Sequence, residues 1–226
     1  MAVSGTYNFN LDIDEIIQEA MEMIGGEQTL GHESASARRS INLMLNDWQN
    51  RGILLWSTDT TTVTVASDTT TYDLASSALD ALIVTYQPNT SSAETKLERK
   101  SFEEYNIIPN KYATGRPTQY TVKRNLANPT IHLYPVPDNS TGLLQVELIR
   151  QVQDVNKSFE QNADAPVRFL PCLTAGLAYN MSLKRPGTAI DRIALLKANY
   201  EELLLRAMEE DKERASIYFK PKLRAV

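Results

Sequence analysis

A chain of 226 residues is long enough to bury a real core in one large domain or two small ones, and its 42% hydrophobic and 23% charged residues are ordinary for a globular protein. A net charge of −5 and an isoelectric point near 5.2 argue against tight, wrapping contact with nucleic acid, which needs Lys and Arg to displace phosphate counterions. A single cysteine, Cys172, excludes an intrachain disulfide, and no apolar run approaches the length of a membrane span.

The first ten residues are largely polar from Ser4 on, with Tyr7 and Phe9 among them, and read as an extended arm, with neither the basic start nor the apolar stretch of a secretion signal. Asp12 and Glu15 have the spacing of a capping box, so a helix is expected to start there. Ile13, Ile16, Ile17, Ala20 and Ile24 make its apolar face, and Gly25-Gly26 stops it. Residues 34–51 predict a second helix, with Ala37, Ile41, Met44, Leu45 and Trp48 on one stripe and Gly52 as the stop. Arg38, Arg39, Asn42, Asp47 and Gln49 lie mostly off that stripe and are expected to face water. The short loop between the two helices predicts an antiparallel hairpin.

The texture changes at Ile53. Residues 60–72 are dense in Thr and Val on alternating faces, which is strand chemistry, and Ser67-Asp68 reads as a turn. Further strands are expected at 82–87, 118–123, 130–134 and 143–150. Residues 125–128 look like a hairpin turn, and Pro135 and Pro137 close another strand because proline cannot donate to a ladder. Ser101 and Glu104 cap a short helix over 101–106.

Helices return after Asn162. Asp164 can cap, Pro166 suits a first turn, and Leu170, Leu173, Leu177, Ala178 and Met181 line one side up to Arg185-Pro186-Gly187. Pro171 marks either the start of this helix or a bend in it. The last helix is predicted over 188–215, with Ile190, Ile193, Leu196, Tyr200, Leu203, Leu204 and Ala207 as its stripe. The fold class expected is α+β. Two N-terminal and two C-terminal helices make a discontinuous helical domain (1–52 with 164–215), a small antiparallel β domain is inserted (53–163), and an extended C-terminal arm follows (216–226).

The residues that carry chemistry are sparse. Only His32 and His132 exist, one before the β insert and one inside it, and His32-Glu33 lacks the second histidine of a zinc-protease helix, so no metal is expected. Cys172 sits among Leu170, Pro171 and Leu173, where it suits a small core hydrophobe. Neither a Gly-x-Ser-x-Gly elbow nor a phosphate-binding glycine loop is present, and no cofactor is expected. Glu103-Glu104, Glu201-Glu202 and Glu209-Glu210-Asp211 could supply an acid and a base for glycoside cleavage, yet neighbours on a helix point about 100° apart and do not face each other. Arg206 with Glu210 and Glu210 with Arg214 have i,i+4 spacing, opposed by the like-charged Glu209 and Glu213. This run reads as a wet helix face or a subunit contact, and with Arg38 and Arg39 it makes the candidate subunit-contact set. The tail residues Tyr218, Phe219, Lys220, Lys222, Leu223 and Arg224 read either as a disordered terminus or as a docking arm with aromatic anchors, and Pro221 precludes a helix.

Several stretches, taken together and in order, carry a resemblance. They are Asn10-Leu11-Asp12-Ile13-Asp14-Glu15-Ile16-Ile17, the run from Ala37 through Arg38-Arg39-Ser40-Ile41 to Trp48, and Arg51-Gly52-Ile53-Leu54-Leu55-Trp56. Ile108-Pro109-Asn110-Lys111, Thr114-Gly115-Arg116-Pro117-Thr118-Gln119-Tyr120 and Leu133-Tyr134-Pro135-Val136-Pro137-Asp138 follow. Arg168-Phe169-Leu170-Pro171, Leu177-Ala178-Tyr179 and the run from Glu209 to Ser216 complete the set. In these the chain resembles the head-to-tail adaptor proteins of short-tailed phages, the P22-like tail accessory factors and T7-like tail tubular protein A.

The resemblance implies a structural virion protein rather than an enzyme. It implies a ring, usually of twelve copies, fixed beneath the portal protein and assembled in the host cytoplasm. The ring extends the channel through which double-stranded DNA passes without tight binding, and it offers a platform for the tail nozzle or tube. No membrane partner is implied. The resemblance also assigns portal binding to the arm, here Tyr218, Phe219, Lys220, Lys222, Leu223 and Arg224. The alternative expectation is a cell-wall hydrolase working through Glu103 or Glu104.

Overall fold

The structure, a computed structural model, describes residues 9–26, 31–53, 55–156 and 161–210. The arm expected before Phe9, residues 27–30, the expected continuation of the last helix over 211–215 and the expected C-terminal arm over 216–226 therefore lie outside the described residues. The chain divides into two compact units, one of residues 1–55 with 154–226 and one of 56–153.

The first unit is helical. α1 (Ile13–Ile24) begins at the expected capping box: Glu15 N–H donates to Asp12 Oδ1 at 2.7 Å, and Asp12 N–H donates to the Glu15 carboxylate at 3.0 Å. Gly25 ends it with φ of 86°, a left-handed turn that glycine takes without strain. α2 (Gly31–Asn50) starts three residues earlier than the periodicity suggests, because nothing in Gly31-His32-Glu33 halts the helix and Glu33 gains an ion pair with Arg185 at 3.7 Å.

A single 3₁₀ turn, Val167–Phe169, leads into α4 (Leu170–Lys184). Pro171 lies in the first turn of that helix, where its missing N–H has no partner to lose, so the helix begins there and does not bend. Asp164 lies outside it and does not cap it. α4 does not bury one stripe as expected. Its buried residues go all the way round, from Leu170, Cys172 and Leu173 through Ala175, Gly176 and Leu177 to Ser182. The reason is tertiary: α1, α2 and α5 (Ile190–Glu210) all pack on α4. A Cβ at Gly176 would fall 2.5 Å from Met44 Sδ and 2.7 Å from a ring carbon of Tyr200, so the absent side chain is what lets α2 and α5 approach α4 closely. α5 buries only Leu196, Tyr200, Leu204 and Ala207. Ile190, placed on its core stripe from sequence, is exposed.

The second unit holds two four-stranded sheets and the short helix α3 (Phe102–Ile107), whose Ser101–Glu104 capping box forms as expected. One sheet has the order β1 (Thr58–Thr64), β8 (Leu143–Arg150), β3 (Ala78–Gln87), β4 (Thr95–Lys96), all antiparallel. The other runs β2 (Thr71–Asp73), β7 (Thr130–Tyr134), β6 (Gln119–Lys123), β5 (Glu98–Arg99), with β5 parallel to β6. The 60–72 stretch is therefore not one strand pair. Its turn at Ser67-Asp68 sends the chain from one sheet to the other, and Asp68 takes a φ of 58° to do so. β4 and β5 are not legible in the sequence, since two-residue strands show no alternation. Leu74, Val84, Tyr86, Tyr120, Ile131 and Leu144 belong to one buried cluster fed by strands of both sheets.

Candidate functional site

His32 and His132 lie in different units, and among the described residues no group of three or more His, Cys, Asp or Glu is placed to hold a metal. Burial and the nearby Lys123 cation hold His132 below its ordinary pKa, with Thr71 Oγ1 3.1 Å from Nδ1. Burial pushes the Cys172 thiol up to about 12, and Sγ points at the Phe169 carbonyl 3.1 Å away, so it is an inert core group. Glu104 is occupied as a helix cap. The backbone N–H of Ser101 donates to it at 2.9 Å and holds it below the usual carboxylate range, whereas a glycosidase acid needs a raised value.

What remains is surface geometry on the helical unit. Arg38, expected to face water, has a side chain only 17% exposed. It is tied to Asp14 by a 2.6 Å ion pair between α2 and α1, so it braces its own unit. Arg39, one residue on, is exposed. Asn42 grips the returning chain: its Nδ2 donates to the Val155 carbonyl at 3.1 Å and Val155 N–H donates to its Oδ1 at 2.8 Å. Together Ala35, Arg38, Arg39, Asn42, Val155 and Asn156 line a groove of about 390 Å³.

The Asn42 pair is a strand-like double bond made by one side chain. Asn42→Ala is expected to lose about 1–2 kcal/mol of local stability, read as faster hydrogen exchange at the Val155 amide. Unchanged exchange there would show the pair to be dispensable.

Lys184 is a cation the sequence did not single out. Its Nζ donates to Ser40 Oγ at 2.6 Å and Ser36 Oγ at 3.2 Å, and burial together with the nearby Arg39 charge holds its pKa below the usual lysine value. Arg206 pairs with Glu202, not with Glu210 as the spacing suggests. A helical side chain leans toward the N-terminus, so Arg206 meets the acid one turn before it. Glu209 and Glu210 are exposed. Glu213 and Arg214 lie outside the described residues, as do Tyr218, Phe219, Lys220, Lys222, Leu223 and Arg224.

Sequence reasoning also missed an apolar set on the outside of this unit. Leu43, Leu195 and Leu205 are 69%, 69% and 60% exposed. The signal is weak: α5 repeats Leu195, Ala198 and Leu205 on the side opposite its main stripe, α2 offers Leu43 alone, and exposure cannot be told from burial along one helix.

The family model of the SU10 adaptor protein matches residues 11–222. A solved structure described as the neck of an empty GTA particle computed with C6 symmetry matches 81% of this chain and 87% of its own, with 12% identity. Its TM-score is 0.28, too low to carry an argument about this chain. No curated protein matches the chain.

Proposed function

This chain belongs to the SU10 adaptor family, and from that premise we propose that it is a structural virion protein, the head-to-tail adaptor that links a portal to a tail. The observation that carries the reading is the family match along nearly the whole chain, residues 11–222. The remaining features are consistent with it. The helical unit leaves long, charged helix faces open for neighbours, and the acidic balance suits a channel that DNA crosses without sticking.

In this reading copies of the chain close into a ring under the portal, twelve in number as in the short-tailed-phage adaptors, and extend the channel used in genome ejection. The helical unit makes the lateral contacts, with α5 or the loops beside it on the channel side. The β unit presents loops to the tail nozzle or tube. The arm, through Tyr218, Phe219, Lys220, Lys222, Leu223 and Arg224, reaches the portal.

The test is co-assembly. Purified chain mixed with portal rings is expected to give a stable complex in negative-stain images and native mass spectra, and an arm truncated after residue 215 is expected to abolish it. A chain that stays monomeric and ignores the portal overturns the reading. So does salt-sensitive affinity for double-stranded DNA at micromolar concentration or tighter, which would mark a nucleic-acid-binding protein instead.

A further inference from the structure

Two helix faces of the first unit complement each other and cannot meet within one copy. α2 buries Ala37, Ser40, Ile41, Met44, Leu45 and Trp48. The opposite side, at helical spacing, presents His32, Arg39, Leu43, Asn46 and Asn50, all exposed. The carboxylate nearest the row, Asp47 one turn after Leu43, is paired with Arg51 at 2.7 Å. α5 buries Leu196, Tyr200, Leu204 and Ala207. Its opposite side presents Asp191, Leu195, Ala198, Glu202, Leu205 and Glu209, all exposed and spaced alternately by four and three residues. The row itself is acidic, and Arg206 beside it is paired with Glu202, which leaves Asp191 and Glu209 as its other carboxylates. Both helices pack on α4 through their buried sides, so both rows turn away from it.

We propose that the α5 row of one copy docks on the α2 row of the next copy, antiparallel, as the lateral contact of the ring. This deepens the adaptor reading and rests on it for closure of the ring. The spacing supplies a register. With Leu43 set opposite Leu205, Arg39 lies four residues before Leu43 and meets Glu209, four residues after Leu205. Asn46 lies three residues after Leu43 and meets Glu202, three before Leu205, so an amide donor faces a carboxylate that Arg206 of its own helix also holds. Ala198 then faces Asn50, and its small side chain lets the helices approach. An apolar pair in the centre with a charge pair on one side and a polar contact on the other is the pattern of a partly polar protein interface. Because the two rows are different surfaces, the contact is heterologous, as closure into a ring requires.

The test uses the full chain and exploits its lone cysteine, Cys172, which is buried. Leu43→Cys and Leu205→Cys variants, mixed and treated with a short bismaleimide, are expected to give a covalent dimer, and neither variant alone is expected to do so. Arg39→Glu and Glu209→Arg are each expected to raise the concentration needed for ring assembly at least tenfold, and the double reversal to restore it. Rings that form normally while the mixture fails to cross-link, or while both single reversals assemble like the parent, overturn this contact and leave the adaptor reading standing. Failure of the parent chain to assemble, alone or with portal, overturns the adaptor reading and this contact with it.

Discussion

Trp48→Ala is expected to lower the stability of the helical unit by about 3–5 kcal/mol, the usual loss for a large aromatic removed from a core. Trp48 is fully buried. Its ring centre is 5.5 Å from that of Phe169, in a tilted pair. Its Nε1–H donates to the Tyr200 hydroxyl at 2.9 Å. One side chain therefore joins α2, α5 and the turn that leads into α4. Removing it leaves a cavity and takes the donor from a buried hydroxyl in one step. Against a total of about 5–15 kcal/mol for an ordinary domain, such a loss brings the unit close to unfolding, and ring assembly should fail with it. Urea unfolding followed by far-ultraviolet circular dichroism measures the effect. Trp48→Phe separates its two causes, since it restores most of the volume and none of the hydrogen bond. A loss under about 1 kcal/mol for Trp48→Ala would contradict the packing described.

Asp80→Ala should destabilise the β unit by about 2–3 kcal/mol. That is less than the ~3–5 kcal/mol of breaking a wholly buried pair, because the orphaned cations can still reach water. Asp80 is a buried carboxylate on β3. Arg99 Nη2 reaches both of its oxygens, at 2.9 and 3.0 Å, Arg124 Nη2 reaches Oδ2 at 2.5 Å, and the Ala81 N–H donates at 2.9 Å. Arg99 Nη1 also donates to the Ala81 carbonyl at 2.9 Å. Arg99 ends β5, and Arg124 follows β6, so the carboxylate of one sheet is clamped by two guanidiniums from the other. Arg99 and Arg124 are 44% and 68% exposed, which is why the figure is discounted.

The same site predicts a pH dependence. Burial alone would raise the Asp80 pKa, but the hydrogen bonds and charges of Arg124 and Arg99 outweigh it and hold it below the usual carboxylate value. A carboxyl whose folded pKa is depressed contributes stability above its unfolded pKa, about 3.9, and loses it as pH falls through the folded value. The stability gap between the parent chain and Asp80→Asn should thus be full at neutral pH, begin to narrow near pH 4 and close only once the pH has fallen below the depressed folded value. A gap that persists unchanged well into acid would show that the ionised form is not what the clamp holds.

Much of the helical framework is legible in the order of the residues alone. The Asp12–Glu15 and Ser101–Glu104 boxes form where their spacing puts them, because capping is a bond between residues three apart and needs nothing distant. The same locality explains the Gly25 stop and the strands at β7 and β8, whose bounds match their sequence pattern. The candidate contact residues fare differently. Arg38 looks as wet as Arg39 in the sequence, and only the arrival of Asp14 from another helix separates them. Arg206 has acids one turn before it and one turn after it, and the lean of its side chain chooses Glu202.

The sequence by itself determined the α+β class, the helix caps and stops, the interruption of the helices by a β insert, and the resemblance to phage head-to-tail adaptors, although the family model that matches is that of the SU10 adaptor and not a P22-like or T7-like one. All of these rest on neighbours within a few residues or on order along the chain. Only the tertiary structure decided that α4 is the helix buried on every side, that the 60–72 stretch serves two sheets, that Asp80 is clamped by Arg99 and Arg124, and that α2 and α5 each leave an outward row. The physical reason is that burial and ion pairing are made by partners distant in sequence. Periodicity shows that a helix has a face, and packing alone shows which face is covered and which is left for a neighbour.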